Sequence, residues 1–110
     1  INRVRKGMLL QADPTLKFAL GDFTLKRLYD KHKAIVSPYN TYMFKGLPPG
    51  PICTPSKRTI DAVLNSPSTN YIFFCARADF SGFSDFSVTY EEHQKYAAAF
   101  IKAQNERGIK

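Results

Sequence analysis

Proline placement constrains this chain more than any other feature of its sequence. Five of the seven prolines fall between Ser37 and Pro55. Proline lacks a backbone N–H and fixes φ, so this stretch cannot run as a helix or as a central strand. The run Pro48-Pro49-Gly50-Pro51 favours an extended, polyproline-like path. Because Tyr39, Tyr42 and several aliphatic side chains accompany the prolines, we expect a long loop that is ordered and not disordered.

Helix signals occur on both sides of this loop. Residues 1–7 are typical of the end of a helix, since basic side chains precede a glycine. Asp13-Pro14 has the pattern of an N-cap followed by proline at N1, and predicts a short helix that ends at Gly21. Thr54-Pro55 predicts another helix start in the same way. Thr89 to Glu92 has the spacing of a capping box, which predicts a final helix.

Two segments have the character of strands. Tyr71 to Ala76 is apolar along its whole length, which indicates a strand covered on both faces. Phe83 to Val88 supplies a second strand, and the turn residues between the two favour an antiparallel hairpin. Residues 23–29 alternate poorly and fit either a strand or a basic helix.

These signals together predict the fold class α+β in a single domain over residues 1–110. We expect short helices around a small antiparallel sheet, with a long Pro-rich ordered loop and a C-terminal helix. The longest apolar runs are far shorter than the roughly twenty residues that a membrane-spanning helix needs. No membrane segment is therefore expected in this chain.

The charge of the chain is strongly basic and unevenly distributed. Sixteen Lys and Arg against nine Asp and Glu give a formal net charge of +7, and the excess lies mainly in residues 1–33. Such a bias attracts polyanions such as nucleic acid, anionic lipid or a carboxylate-bearing cell-wall polymer. Charge alone does not choose among them, and a basic face that serves only solubility fits equally well.

Few residue patterns point to catalysis or to metal binding. Cys53 and Cys75 lack the close pairing of zinc ligands, so neither a metal nor another cofactor is expected. A disulfide between them and two free thiols are both compatible with the sequence. The three glutamates all lie in the final helix, where capping and solvation account for them. His32 and His93 have no nucleophile at a recognisable spacing.

A carbohydrate groove is the function that the central loop fits best on residue chemistry alone. Two tyrosines and an amide in Ser37–Tyr42 precede the proline wall of Gly46–Ile52. Tyrosine rings pack on the C–H faces of sugars, while amide and hydroxyl groups fix the orientation of the sugar. The structural alternative is a loop whose tyrosines only pack and form internal hydrogen bonds.

The same loop resembles the signature of the YceG-like family, the membrane-anchored endolytic murein transglycosylases. The resemblance rests on Ser37-Pro38-Tyr39-Asn40-Thr41-Tyr42, on Gly46-Leu47-Pro48-Pro49-Gly50-Pro51-Ile52 with Pro55, on Leu10-Gln11-Ala12-Asp13-Pro14-Thr15, and on the flanking Ile1-Asn2-Arg3 and Tyr71 to His93. It therefore spans nearly the whole chain. Ala12 departs from the family pattern, in which a small hydroxyl residue occupies this position.

The resemblance implies a lyase that cleaves peptidoglycan glycan strands without adding water. One carboxylic acid protonates the glycosidic oxygen and then, as a base, helps the muramyl sugar's own hydroxyl attack, which leaves an anhydro end. The family's acid is a glutamate on the helix that precedes the stretch matched by Ile1-Asn2-Arg3. We therefore expect this chain to be the C-terminal portion of a catalytic domain, with no catalytic residue of its own and no activity by itself.

The resemblance also implies partners and a location. The expected partners are peptidoglycan glycan strands and the cell-wall synthesis machinery, with no nucleic acid. The parent protein is expected at the periplasmic face of the inner membrane. The alternative function, from another class, is a non-catalytic basic module that binds nucleic acid or an anionic cell-wall polymer.

Motif position and side-chain chemistry together nominate a set of substrate-binding residues. The set consists of Gln11, Asp13, Tyr39, Asn40, Thr41, Tyr42, Gly46, Leu47 and Pro48. The first two are expected near the reaction centre, where they would order the glutamate or the sugar. The next four are expected to line the groove, and the last three to shape it.

Overall fold

The computed structural model describes residues 1–109, which group into two compact units. Ile1 and residues 3–69 form the first unit, and Asn2 with the residues from 70 onward forms the second. The elements in chain order are α1 (Asn2–Arg5), α2 (Asp13–Leu20), α3 (Asp30–Lys33), α4 (Lys57–Leu64), β1 (Phe73–Ala76), β2 (Ser84–Ser87) and α5 (Tyr90–Glu106). This set of short helices, one antiparallel strand pair and a C-terminal helix confirms the α+β fold class.

The second unit is a hairpin covered by a helix. Strands β1 and β2 pair antiparallel, with Phe74 opposite Phe86, as the sequence predicts. Helix α5 packs on the hairpin, where the ring of His93 stacks on that of Phe73 at a centroid distance of 5.1 Å. The expectation that β1 is covered on both faces is wrong, because its side chains alternate between half-buried and exposed. Phe74, on the open face, is 65% exposed.

The capping predictions hold for α5 and for the end of α2. The Thr89 hydroxyl accepts a hydrogen bond from the backbone N–H of Glu92, which is the N-cap half of the predicted capping box. Gly21 ends α2 in the left-handed conformation at φ 72°, which glycine adopts without steric cost. The sequence therefore locates helix ends well where the capping groups belong to the same few residues.

The predicted starts of α2 and α4 are each wrong by one or two residues. Ala12 and not Asp13 is the N-cap of α2, in an extended conformation and with no side-chain cap. Ser56 and not Thr54 caps α4, since its hydroxyl accepts from the backbone N–H of Thr59. Residues 23–29 form neither a strand nor a helix, and α3 begins just after them.

The Pro-rich loop is ordered and irregular, as predicted, and one amide holds its first part. Residues 34–56 contain no helix and no strand. The side-chain N–H groups of Asn40 donate to the backbone carbonyls of Lys33 at 2.9 Å and Ile35 at 2.7 Å. The Asn40 side-chain oxygen accepts from the backbone N–H of Tyr42 at 2.9 Å. The chain is thereby turned back on itself without regular secondary structure.

The most deeply buried part of the first unit is polar. Leu16 on α2 is fully buried, and beside it in the sequence Thr15 is buried. Asn40 and Thr41 on the loop are buried as well. Buried polar groups must be paired to be tolerated, and the contact between the Thr15 and Thr41 hydroxyls and the bonds of Asn40 to the backbone meet that need. The buried residues of this unit therefore lie where the start of α2 meets the loop.

Candidate functional site

Thr41 joins the two sequence motifs that carry the resemblance. Its hydroxyl oxygen accepts from the backbone N–H of Ala12 at 2.9 Å and lies 2.8 Å from the hydroxyl oxygen of Thr15. Its carbonyl accepts from the backbone N–H of Gln11 at 3.1 Å. A segment about thirty residues further along the chain therefore fixes the entry to α2, and with it the positions of Gln11 and Asp13.

Asp13 and Tyr42 form a direct side-chain pair at this junction. The Tyr42 hydroxyl donates to the Asp13 carboxylate over 2.5 Å, across 29 positions of sequence. Burial raises the pKa of the Tyr42 hydroxyl well above its usual range, and the hydrogen bond to Asp13 and the charge of Asp13 raise it further. Tyr42 thus stays a neutral donor, which holds the carboxylate of an exposed residue in one orientation.

The role expected for Asp13 as a helix cap therefore needs correction. The carboxylate does not cap α2, since Asp13 occupies the first helical position after Ala12. An acidic residue there is still favoured by the positive end of the helix dipole. Because capping does not occupy it, the carboxylate is available for the contact with Tyr42 and for contacts at the surface.

Arg3 holds the segment that leads into α2. One guanidinium nitrogen of Arg3, Nη1, donates to the carbonyls of Leu9 at 2.9 Å and Leu10 at 3.2 Å. The same nitrogen donates to the side-chain oxygen of Gln11 at 3.3 Å. Burial lowers the pKa of the Arg3 guanidinium, whereas the electrostatic interaction with Tyr42 acts in the opposite direction and raises this pKa. Gln11 itself has φ 50°, a conformation that residues other than glycine adopt rarely.

Tyr39 packs under the loop. Its ring lies 4.7 Å from the ring of Phe18 on α2, centroid to centroid. Its hydroxyl lies so close to Gly50 that a Cβ at that position would come within 3.1 Å of it. Glycine at position 50 therefore allows the proline run to pass close to the tyrosine.

The nine nominated residues differ in how far they reach the surface. Gln11, Asp13 and Leu47 are exposed, whereas Tyr39, Tyr42, Gly46 and Pro48 are half-buried and Asn40 and Thr41 are buried. The structure brings Gln11, Asp13, Thr41 and Tyr42 together through the contacts described above. Asn40 is linked to this group through its bond to the backbone of Tyr42.

Arg3 and Lys33 contact the site and were not nominated from the sequence. Arg3 bonds to Gln11, and the Lys33 ammonium lies 5.2 Å from the centroid of the Tyr42 ring, within the range of a cation–π contact. The available signal for Arg3 was its place in the Ile1-Asn2-Arg3 stretch of the resemblance. No pattern singled out Lys33 from the other basic residues of the first third.

Other features of the described residues add little chemistry to this site. An open cavity of about 350 Å³ near the loop is lined by Val36, Ser37, Pro38 and Phe44, none of which was nominated. Among residues 1–109, no group of three or more His, Cys, Asp or Glu side chains could hold a metal ion. In the same range, no helix has both the length and the apolar character needed to cross a membrane. Both cysteines are free thiols.

Comparison with known proteins places the chain in a family. Residues 1–99 match the model of the YceG-like family, to which this chain therefore belongs. It is 40% identical over 106 residues to the endolytic murein transglycosylase of Bacillus subtilis strain 168, covering 96% of this chain and 29% of that protein. It is 27% identical over 107 residues to the protein of the same name from Streptococcus pneumoniae serotype 2, covering 94% of this chain and 19% of that one.

A solved structure supports the same assignment. The crystal structure of a YceG-like protein from Listeria monocytogenes matches this chain with a TM-score of 0.79 and 41% identity. The match covers 86% of this chain and 30% of the Listeria chain. The chain thus spans less than a third of the length of the relatives it matches. The family resemblance and its fold are confirmed.

Proposed function

We propose that this chain is part of an endolytic murein transglycosylase that cleaves peptidoglycan glycan strands without water and leaves anhydromuramyl ends. The relatives that bear this name support the proposal. The observation that carries it is the junction made by Thr41, which brings the Asp13 carboxylate and the Gln11 amide to one entry segment of α2. An exposed carboxylate and an exposed amide are groups that orient sugars through hydrogen bonds.

In the proposed reaction, an acid outside these 110 residues performs the proton transfers. It gives its proton to the glycosidic oxygen as the bond from that oxygen to the anomeric carbon breaks. The resulting carboxylate then takes the proton of the muramyl sugar's own hydroxyl, whose oxygen bonds to the anomeric carbon. This chain contributes binding and orientation, and alone it is expected to yield no anhydro products.

Burial divides the nominated residues between two roles in this proposal. Gln11, Asp13 and the edge of Tyr42 contact the glycan, because they reach the surface at the junction. Asn40 and Thr41 act beneath them, since both are buried and their polar groups are engaged with the protein. Tyr39, Gly46, Leu47 and Pro48 shape the wall that follows, as the sequence suggests.

The site of action is proposed from the family alone. The parent protein is expected to be anchored at the membrane, with this part on its outer, periplasmic face. Its partners there would be peptidoglycan and the proteins that synthesise it.

The test of this proposal is Asp13→Asn in the complete protein that contains this chain. The amide keeps the size of the side chain but loses the charge and one acceptor, so we expect the yield of anhydromuramyl ends to fall about tenfold, as for the loss of a charged hydrogen bond. The measurement is analysis of digested cell wall for these ends. Asp61→Asn is the matched control, since Asp61 is an exposed aspartate on α4 and none of the contacts of this site involves it. An unchanged yield with Asp13→Asn would remove Asp13 from the site.

The alternative of a basic binding module rests on the net charge of +7. A filter-binding series in salt separates the two functions, because nucleic-acid affinity falls steeply as salt rises. Tight and steeply salt-dependent DNA binding would favour the alternative. Retention by cell wall with indifference to DNA would favour the transglycosylase.

A further inference from the structure

The contact between Arg3 and Gln11 determines which way the Gln11 amide faces. A guanidinium has only donors, so the atom of the amide that faces it must be the oxygen. The Arg3 nitrogen lies 3.3 Å from this oxygen and also bonds to the carbonyls of Leu9 and Leu10. The oxygen of the Gln11 side chain therefore faces Arg3 and uses one of its two lone pairs there.

The NH2 group of the same Gln11 amide forms no such hydrogen bond within residues 1–109. The Gln11 side chain is exposed, and within residues 1–109 its NH2 group donates to no protein acceptor. Gln11 therefore presents its two N–H donors to whatever binds at this surface.

The backbone at Gln11 indicates that this placement is imposed by its neighbours. A positive φ at a residue other than glycine is costly and persists only where the surroundings enforce it. Here the backbone N–H of Gln11 is held by the carbonyl of Thr41, and the preceding two carbonyls are held by Arg3. Such strained residues cluster at ligand-binding sites.

We propose that Gln11 recognises the N-acetyl carbonyl oxygen of the glycan and that Arg3 is the positioning residue that orients it. The inference rests on the function proposed above, which makes a glycan bearing acetamido groups the ligand. An acetamido carbonyl oxygen is an acceptor only, and so it complements the two N–H donors of Gln11. The ammonium group of a de-N-acetylated sugar is a donor only, and it leaves those N–H groups without an acceptor. The site should therefore select N-acetylated glycan.

The decisive variant is Gln11→Glu in the complete protein. A carboxylate keeps the length of the side chain and can still accept from Arg3, but it cannot donate to a carbonyl. We expect wild type to prefer N-acetylated over de-N-acetylated glycan strands by about tenfold in kcat/KM, the scale of one lost hydrogen bond in a binding site. Gln11→Glu should lose about tenfold on the acetylated strands only, so that the preference disappears.

Arg3→Met tests the positioning role, because it removes the donor that orients the amide. The preference for acetylated strands should weaken in this variant, a change that a merely structural role would not produce. If the Arg3→Met variant does not fold, Arg3→Lys is tested in its place. Arg3→Lys keeps the positive charge and should retain part of the preference for acetylated strands. Thermal unfolding of each variant verifies that it is folded.

The outcomes separate this inference from the function on which it rests. A wild-type protein that releases anhydromuramyl ends, together with a folded Gln11→Glu variant of unchanged preference, would overturn the role of Gln11 and leave the function intact. A wild-type protein that releases no such ends from either substrate would overturn the proposed function itself.

Discussion

Single polar side chains organise the first unit of this protein more than apolar ones do. Asn40 is fully buried and uses its amide for three hydrogen bonds to the backbone, two as donor and one as acceptor. Thr41 next to it bonds to the segment that leads into α2. A buried polar group that loses its partner costs more than a typical hydrogen bond contributes. Substitutions at these two positions should therefore affect the fold as well as the site.

Asn40→Ala should destabilise the protein strongly. The change leaves the carbonyls of Lys33 and Ile35 and the N–H of Tyr42 without their partner, so we expect the free energy of unfolding to fall by about 3 kcal/mol. Urea unfolding measures this change in the free energy of unfolding. Gln94→Ala, at an exposed position of α5, is the control and should change stability by less than about 0.5 kcal/mol. Equal effects of the two substitutions would contradict the role assigned to Asn40.

Tyr42→Phe should change how stability depends on alkaline pH. The pKa of the Tyr42 hydroxyl is raised in the folded state, by burial first and then by Asp13. Its contribution is therefore fully present below the unfolded pKa of about 10, and is lost as the pH rises from there towards the folded pKa. The stability difference between wild type and Tyr42→Phe should keep one value from about pH 8 to about pH 9 and be smaller at about pH 11, measured by urea unfolding. The same difference at about pH 8 and about pH 11 would contradict the assignment.

Helix α2 is the element on which the site depends, and its start lacks a common stabilising contact. Its N-cap, Ala12, has the extended backbone of a cap but no side chain that could accept a hydrogen bond. Serine, threonine, aspartate and asparagine are the residues that cap helices best, because their side-chain oxygens accept a hydrogen bond from the first turn. Ala12 supplies no such oxygen, so α2 lacks a side-chain cap.

Ala12→Thr should restore that cap. The hydroxyl could accept from the backbone N–H of Thr15, the third helical residue, and we expect a gain of about 0.5–1 kcal/mol in the free energy of unfolding. Ala12→Val is the matched control, because valine has the shape of threonine without the hydroxyl. The difference between the two variants in urea unfolding isolates the cap. Valine that stabilises as much as threonine would show that packing, and not capping, limits α2.

At the scale of the whole molecule, the uneven charge is the property most relevant to a wall polymer. The basic excess lies in residues 1–33, the part of the chain that also contains Arg3, Gln11 and Asp13. Peptidoglycan carries carboxylates, so this part should attract it over distances of about a Debye length. The attraction should be local to the basic part and not a general consequence of the net charge.

Two double variants of equal charge change test this locality. Lys26→Glu with Lys31→Glu alters exposed residues of the basic part, whereas Lys95→Glu with Lys102→Glu alters exposed residues of α5. We expect the first pair to reduce retention on purified peptidoglycan at low salt more than the second, with the gap closing as salt rises. Co-sedimentation with purified peptidoglycan measures the retained fraction of each variant. Equal losses would indicate that only the total charge matters.

The sequence alone predicted the features that depend on neighbouring residues. The N-cap at Thr89, the end of α2 at Gly21 and the hairpin of β1 and β2 are each encoded within a few positions, and all three were confirmed. The same holds for the irregular course of residues 34–56, because closely spaced prolines exclude a helix interior and a central strand. The motifs also nominated Gln11, Asp13 and Tyr42 for the site.

Only the tertiary structure decided what these nominated residues do. The start of α2 at Asp13 depends on Thr41, which holds the backbone of Gln11 and Ala12 from a distant part of the chain. For the same reason Asp13 pairs with Tyr42 instead of capping its helix, and Asn40 and Thr41 lie beneath the surface. Local signals describe how a segment can fold, whereas side-chain pairing and burial depend on which distant segments meet.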